Sequence, residues 1–503
     1  MPTPGAIRPP GSLPMRNVLI VLATATAVSA CNFAPEHRAP VAAVSDSFAE
    51  RPEGSRLATD LGWREFFGDP RLQAHIAAAL ANNRDLAQSV ARIAQARAQY
   101  RISEADRLPQ IDGSVTATRT RTPLNALGFG DSLPGSGEGP SAIQFDQFNV
   151  GVAVTAFEID FWGRLRNLRD ASLARYLATV EAERAFRLSL VSQVAASYIA
   201  IRSGEERIAL AERALVDRRE GLRIATRRAD AGVTSIVDQE QATLLLTQAE
   251  TEIADLRRIT DQQRNLLTVL VGGPIAETLP APRPLDRAGQ FADIDAGLPS
   301  QLLAARPDIS AAELQLRAAN ADIGAARAAF FPNISLTGNF GFASPELGGL
   351  FAGNTQSWSF GPALNLPIFD WGRREAQVQV SRAVADELSA AYQRTVQEAF
   401  REVSDALVGR RRYGEQIAAQ QRTVDAQQRL ARTARLRYDN GISIYLEVLD
   451  AERNLFAARQ QLVALRAAQL QNAVSLYVAL GGGLRETAGP EGDPAAVGQV
   501  VGK

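Results

Sequence analysis

The 503-residue chain has one cysteine and two histidines, His37 and His75. That excludes a disulfide framework and leaves a Cys/His metal site short of ligands. A carboxylate-only metal site stays open. Formal net charge is −1, so there is no electrostatic case for nucleic acid as a partner. No nucleophile elbow, phosphate loop or metal-spaced His/Cys set occurs, so no enzyme is expected. Beyond the N-terminal region, no stretch offers the roughly 18 uninterrupted apolar residues of a membrane helix. Any later membrane crossing must therefore be β. Proline is missing from residues 163–229 and 372–438, and glycine nearly so. Helices there have nothing to interrupt them.

What is present is said twice. Arg84-Asp85-Leu86 opens a helical pattern that ends in Leu108-Pro109-Gln110-Ile111, and Arg306-Pro307-Asp308-Ile309 opens one that ends in Phe331-Pro332-Asn333-Ile334. These are shifts of 223 residues. Trp162-Gly163-Arg164 returns as Trp371-Gly372-Arg373, Asp230 and Gly232 as Asp439 and Gly441, and Gly272-Gly273 as Gly481-Gly482, all shifted by 209. The chain thus reads as two structural repeats. The first carries 14 extra residues, assigned to a loop at 119–145.

The N-terminus is read as a signal. Met15-Arg16 precedes an apolar run from Val18 to Val28, then Ser29-Ala30-Cys31. Basic start, short apolar core and small residues before the cut suit secretion, not a membrane span. Met1 and Met15 both remain possible starts. Val28-Ser29-Ala30-Cys31 resembles a bacterial lipobox, which would make Cys31 the lipidated first residue of the mature protein. Asn32 after it leans toward the outer membrane. That covalent lipid is the only cofactor expected.

Within each repeat the hydrophobic period changes. Leu72, Ile76, Leu80, Leu86, Val90 and Ile93 recur at helical spacing. Past Pro109, Ile111, Val115 and Ala117 alternate with polar residues, and Phe148, Val150, Val152 and Val154 recur at the same two-residue spacing. Ile334, Leu336, Phe340 and Phe342 alternate in the second copy, closed by Trp358, Phe360, Leu364 and Leu366. Strands of about 10 residues are long enough to cross a bilayer at a tilt. Val384, Leu388, Tyr392, Val396, Phe400, Val403 and Leu407 repeat every three to four residues, a coiled-coil-like seam. The expected division is a signal peptide over 1–30 and a lipidated extended segment over 31–60. The first repeat follows over 61–273, with its hairpin near 110–157 and long helices over 163–271. A linker over 274–299 leads to the second repeat over 300–483, with its hairpin near 333–369 and helices over 372–480, then a tail over 484–503. The predicted class is mainly α with a β-barrel part. Two hairpins supply four strands per chain, which cannot close a barrel alone, and open edges are forbidden in lipid. Several copies must share one.

This order of elements resembles the outer membrane factor family of bacterial efflux systems, the TolC- and OprM-like channels, in its NodT-like lipoprotein branch. The resemblance rests on the paired patterns near Asp85 and Asp308 (Asp308-x-x-x-Ala312, with Ser89 at the matching place of the first copy), the Pro-initiated strands, Phe161-Trp162-Gly163-Arg164 with Asp370-Trp371-Gly372-Arg373, and Gly441 followed by Glu447-Val448-Leu449-Asp450-Ala451-Glu452. It covers roughly residues 60–483. It implies a homotrimer with a shared transmembrane β-barrel, and a long antiparallel coiled-coil helical barrel through the periplasm. The expected partners are a periplasmic adaptor, an inner-membrane pump of resistance-nodulation-division type and outer membrane lipid. The implied function is the exit duct of a tripartite efflux system for drugs or other small molecules, lipid-anchored in the outer membrane. Metal efflux or type I secretion remains open within the family. A periplasmic coiled-coil scaffold lipoprotein without a pore is the alternative outside it.

The resemblance also implies a closable iris at the tips of the helical hairpins, near 230–241 and 439–450. Its gate positions match Glu447 and Asp450, although Glu447 departs from the more familiar Asp. Rings of such carboxylates favour cations, and crowding couples closure to pH. Arg435 and Arg437 could pair with tip carboxylates as a latch. Asp238 and Glu240 occupy the first-copy tip as solvated or adaptor-facing charges, with Asp238 a further latch candidate. Trp162 and Trp371 are candidate membrane-interface residues, or packing residues where strand gives way to helix. His75 reads as structural or exposed.

Overall fold

A computed structural model describes residues 32–45, 47–48, 56–123, 142–275, 279–281, 285, 291–292, 294–295 and 303–486. The signal segment 1–30, Cys31, loop residues 124–141, most of the linker 274–299 and the tail beyond 486 lie outside the described residues. The chain is mainly helical with one small sheet. Among the described residues, the helices longer than four residues are α1 (Pro70–Asn82), α2 (Arg84–Ala105), α3 (Arg164–Asp230), α4 (Ile236–Val271), α5 (Pro307–Ala328), α6 (Arg373–Asp439) and α7 (Tyr445–Ala479). The strands are β1 (Ile111–Pro123), β2 (Ala142–Glu158), β3 (Asn333–Ser344) and β4 (Gln356–Asn365). Among the described residues, no helix is long and apolar enough to cross a membrane.

Two compact units emerge. One holds the described residues up to Ala39, Gln95–Tyr176 and Leu314–Ser389; the other holds Pro40–Ala94, Leu177–Glu313 and the chain from Ala390 onward. The two 67-residue helices α3 and α6 each begin in the first unit and end in the second. At 1.5 Å per residue each runs about 100 Å.

The first unit contains the sheet, antiparallel in the order β1-β2-β3-β4. Val115 faces Val150, Val152 faces Phe340, and Phe340 faces Trp358, so one side is apolar across all four strands. Ser114, Gly151, Gly341 and Ser357 lie across from one another on the other side. The register also locates the extra residues of the first copy. Ile111 faces Val154, whereas its counterpart Ile334 faces Leu364, so β2 and β4 are related by a shift of 210. Beyond the pairing irregularity between Val154 and Phe157, where Ala156 adopts φ +50°, the shift is 209. The expectation that all 14 residues lie in the loop is therefore corrected by one. A β-bulge in β2 takes that residue, and a bulge bends its strand.

The second unit carries the main core. Phe66 stacks on Tyr477 at 3.9 Å and on Phe291 at 5.0 Å, and Tyr477 Oη donates to the Leu61 carbonyl at 2.7 Å. Around them pack Ile76, Leu267, Ile309 and Val403, all fully buried. The α6 seam expected from the sequence is buried at Tyr392, Val396, Val403 and Leu407, and opens to solvent at Val384. Equivalent contacts recur at the starts of α2 and α5. Asn83 Nδ2 donates to the Leu270 carbonyl at 2.9 Å, and its Oδ1 accepts from Leu86 N. At the matching place Arg306 Nη1 donates to the Ala479 carbonyl at 3.2 Å. Gly272 and Gly481, both at positive φ, let Asn82 and Ala305 carbonyls approach where a Cβ would sit.

His75 lies inside this core against Tyr198, whose hydroxyl donates to Asp69, the N-cap of α1. Burial, with Arg71 nearby, pulls the imidazole down to about 4. It is neutral in the fold, while an unfolded histidine titrates near 6.5. Acid then favours the unfolded chain from pH ~6.5 downward until the folded value is reached. The expected loss is at most about 3 kcal/mol per chain. His75→Leu should flatten the fall in thermal midpoint across that window; an unaltered pH profile would show that other groups set it.

Candidate functional site

Both helical hairpins turn by the same device. Arg227 and Arg228 stand in the last turn of α3, and Gly232 at φ +69° lets Val233 N return to the Arg228 carbonyl at 2.9 Å. Gly441 at φ +71° lets Ile442 N return to the Arg437 carbonyl at 2.8 Å. These six-to-one bonds with a left-handed glycine form Schellman caps, which glycine adopts without a Cβ penalty. Ser235 then caps α4 by accepting from Val237 N, while Ile444 opens α7 with no side-chain cap.

The candidate carboxylates sit in and just after the first turn of α7, where the positive end of the helix dipole favours anions. Glu447 and Asp450 are exposed. Glu447 Oε1 lies 3.8 Å from Arg437 Nε, and Asp450 Oδ1 lies 3.0 Å from Arg453 Nη2. Arg435 pairs with Asp439 at 3.5 Å. Asp238, in the first turn of α4, makes no side-chain ion pair or hydrogen bond among the described residues. Of these pairs, Arg437 with Glu447 joins α6 to α7. Exposed pairs of this kind contribute about 0–1 kcal/mol each.

Stronger packing holds the same tip from behind. Tyr445 is buried against Val448, Leu449 and Ala434, its ring 5.0 Å from that of Tyr438. Its hydroxyl reaches Gly221 of α3 so closely that a Cβ there would lie 2.1 Å away. Arg228 lies over the Tyr438 ring at 5.1 Å and donates to its hydroxyl. Burial, reinforced by Glu452, pushes the Tyr445 hydroxyl up to about 12. Burial also raises Glu452 above the usual carboxylate range; Arg435 and Arg218 oppose this, and Asp217 adds to it. The tip therefore takes up a proton at Glu452 more readily than free glutamate would. Sequence reasoning passed over Tyr445 and Glu452. The spacing 445, 448, 449, 452 places both on one helical face and was the available signal.

The turns themselves are apolar. Val233, Ile236, Ile442 and Ile444 are exposed there. Thr234 Oγ1 and Ser443 Oγ, related by the shift of 209, are buried hydroxyls without a hydrogen-bond partner among the described residues.

In the unit with the sheet, the apolar face is uncovered. Val115, Val152, Phe340, Trp358, Phe360 and Leu364 are all exposed. The edge strands β1 and β4 have no second neighbour among the described residues. The two junction tryptophans differ. Trp162 is partly buried, stacks on Phe331 at 4.7 Å and donates from Nε1 to the Pro332 carbonyl at 2.8 Å. Phe33, two residues after Cys31, stacks on the same Phe331 at 4.7 Å, and Arg327 donates to its carbonyl. Trp371 is 90% exposed and adopts φ +58°. No cluster of three or more potential metal ligands occurs among the described residues.

A sequence profile of outer membrane efflux proteins matches residues 75–273 and 298–482. The antibiotic efflux pump outer membrane protein ArpC of Pseudomonas putida is 40% identical over 488 residues, covering 96% of this chain and 99% of that protein. The toluene efflux pump outer membrane protein TtgC, also of Pseudomonas putida, has the same identity and coverage. Among solved structures, the open state of the Neisseria gonorrhoeae MtrE outer membrane channel superposes with a TM-score of 0.82. It is 36% identical, covering 92% of this chain and 100% of that one.

Proposed function

The chain belongs to the outer membrane efflux protein family, and from that membership we propose how it builds its duct. It is an outer membrane channel through which an efflux system expels its cargo. Three copies close one β-barrel, each giving β1 to β4, and α3, α4, α6 and α7 line a helical tunnel. The observation that carries this is the sheet with two open edges and an uncovered apolar face. Such a sheet is untenable in lipid until its edges are paired by other copies. Cys31 carries the lipid anchor, and Trp162 and Trp371 mark the periplasmic membrane interface.

The tips close the tunnel. Glu447 and Asp450 ring the opening, Arg437 restrains Glu447, and the Arg228–Tyr438 contact ties the two hairpins in the closed state. Arg435 and Asp238 complete the charged collar. An adaptor docks on the exposed Val233 and Ile442 turns. The adaptor links the duct to an inner-membrane pump of the resistance-nodulation-division type. Small organic molecules, such as those named for the related proteins, are the cargo.

Purified protein in planar bilayers should give discrete single-channel currents, and its gene should restore drug tolerance to a strain that has the pump and adaptor but no duct. Well-folded trimer without conductance would sink the channel reading in favour of a scaffold.

A further inference from the structure

Within β1 to β4, charge reaches the apolar face of the sheet at one place. Arg119 and Arg121 of β1 alternate onto the same side as Val115, and Asp146 of β2 faces Arg119. Arg119 Nε and Nη2 donate to Asp146 Oδ1 and Oδ2 at 2.5 and 2.6 Å. Arg121 faces Gln144 and is exposed. It makes no side-chain ion pair or hydrogen bond among the described residues. Next to this charged end the face is apolar: Ala117 faces Phe148, and Val115 faces Val150. The other side of β1 offers Thr118, Thr120 and Thr122 at the same level, so the arginines stand apart from the polar face that lines the pore.

Their height tells what they meet. β1 begins at Ile111, which lies at the periplasmic edge of the barrel proposed above. At the tilt of roughly 40–45° usual for membrane strands, each residue climbs about 2.5 Å. Arg119 and Arg121 then stand about 20 and 25 Å above Ile111. The apolar band of such barrels is about 25 Å tall. Both guanidinium groups therefore reach the outer edge of the hydrocarbon, where lipid phosphates lie. Arginine is costly at the middle of that band and nearly free of penalty at its edge.

We propose that Arg119 and Arg121 hold the phosphate of an outer-leaflet glycolipid, the phosphorylated glucosamine lipid A, whose acyl chains lie on Val115, Val150 and Phe148. This rests on the barrel reading above and adds a specific lipid to it. A planar guanidinium suits a phosphate because two parallel N–H groups can point at its oxygens. Arg121 is the main ligand. Arg119 divides its donors, with Nε and Nη2 on Asp146 and Nη1 left for a phosphate oxygen. Asp146 thus aims Arg119 and also weakens it as an anion site. As a brace between β1 and β2 alone, so exposed a pair would do little.

Native mass spectrometry of the full-length trimer in detergent tests this with three probes: diphosphoryl lipid A, the same lipid stripped of both phosphates, and inorganic phosphate. Diphosphoryl lipid A should be retained about ten-fold better than the stripped lipid. Arg121→Ser should remove most of that difference. Asp146→Asn should act in the opposite direction and raise retention several-fold, because it frees Arg119 and deletes a like charge beside the phosphate. If Asp146→Asn lowers retention or leaves it unchanged, Arg119 is only a brace and the two-arginine site is overturned. Equal retention of the two lipids would reduce the face to an apolar surface and overturn the phosphate site. Complete displacement of lipid A by inorganic phosphate would overturn it in favour of a site for free anions. Single-channel current separates the two levels of the argument. If the parent gives neither trimer nor current, the barrel reading falls. If it conducts and still shows no preference for the phosphorylated lipid, this inference alone falls.

Discussion

Single channels carrying Glu447→Ala together with Asp450→Ala are expected to conduct several-fold more and to lose most of their preference for cations. Both side chains are exposed at the start of α7, and the proposed ring repeats them in every copy. Two effects act together. Removing Glu447 frees Arg437, the partner that bridges α6 and α7 at 3.8 Å, so the tip loses a restraint. Removing both carboxylates deletes the negative collar that concentrates cations at a constriction. Reversal potentials in a salt gradient measure the second effect apart from the first. Asp238→Ala is the internal comparison, since Asp238 stands where Glu447 stands in the other copy but holds no ion pair among the described residues. It should leave the current nearly unchanged and lower cation preference by less than the double variant does. Unchanged current and reversal potential in the double variant would move the gate elsewhere on the tip.

The second large effect falls on stability. Gly272→Val should destabilise the fold by about 3–5 kcal/mol, among the largest single-residue effects expected. Gly272 has φ +83°, and a Cβ there would lie 2.3 Å from the Asn82 carbonyl oxygen and 2.6 Å from its carbon. Backbone on both sides leaves nothing flexible to give way. The left-handed conformation alone costs an L-residue roughly 1–2 kcal/mol. Gly273→Ala, one residue on, has negative φ and nothing within 4 Å, so it should stay within about 0.5 kcal/mol of the parent. Thermal unfolding by circular dichroism compares the two. Equal midpoints would mean that the helix end moves away from Asn82 without cost.

Long periodic elements were legible in the sequence because their signals are local. The proline-free stretches became α3 and α6, and Gly232 and Gly441 became helix caps, since glycine is the residue that a Schellman turn selects. Alternation located the faces of β1 to β4. What stayed illegible depended on partners distant in the chain. Ala156 carries the bulge, yet alanine announces no positive φ. Trp162 and Trp371 sit in like motifs, and only the presence of Phe331 beside one separates them. Tyr445 fits because Gly221, more than 200 residues earlier, leaves room for its hydroxyl. His75 read as structural or exposed, and long-range packing against Tyr198 fixed it as buried. At the tip, Glu447 and Asp450 follow from resemblance, whereas the burial of Glu452, in the same motif, depends on helices distant in the chain that bring Asp217 and Arg218 beside it.

The unbroken course of α3 and α6 through both compact units also limits how such a chain can change length over evolutionary time. Adding one residue to a helix turns everything beyond it by about 100°. In α3 or α6 that would swing the tip carboxylates and the buried Tyr445 face off their partners. Seven residues added together return the face to within about 20°. Length variation in these helices should therefore come in sevens, and matched in α4 or α7, which run back alongside. A loop absorbs any insertion, as the first hairpin shows; a shaft of this kind accepts only whole steps of its thread.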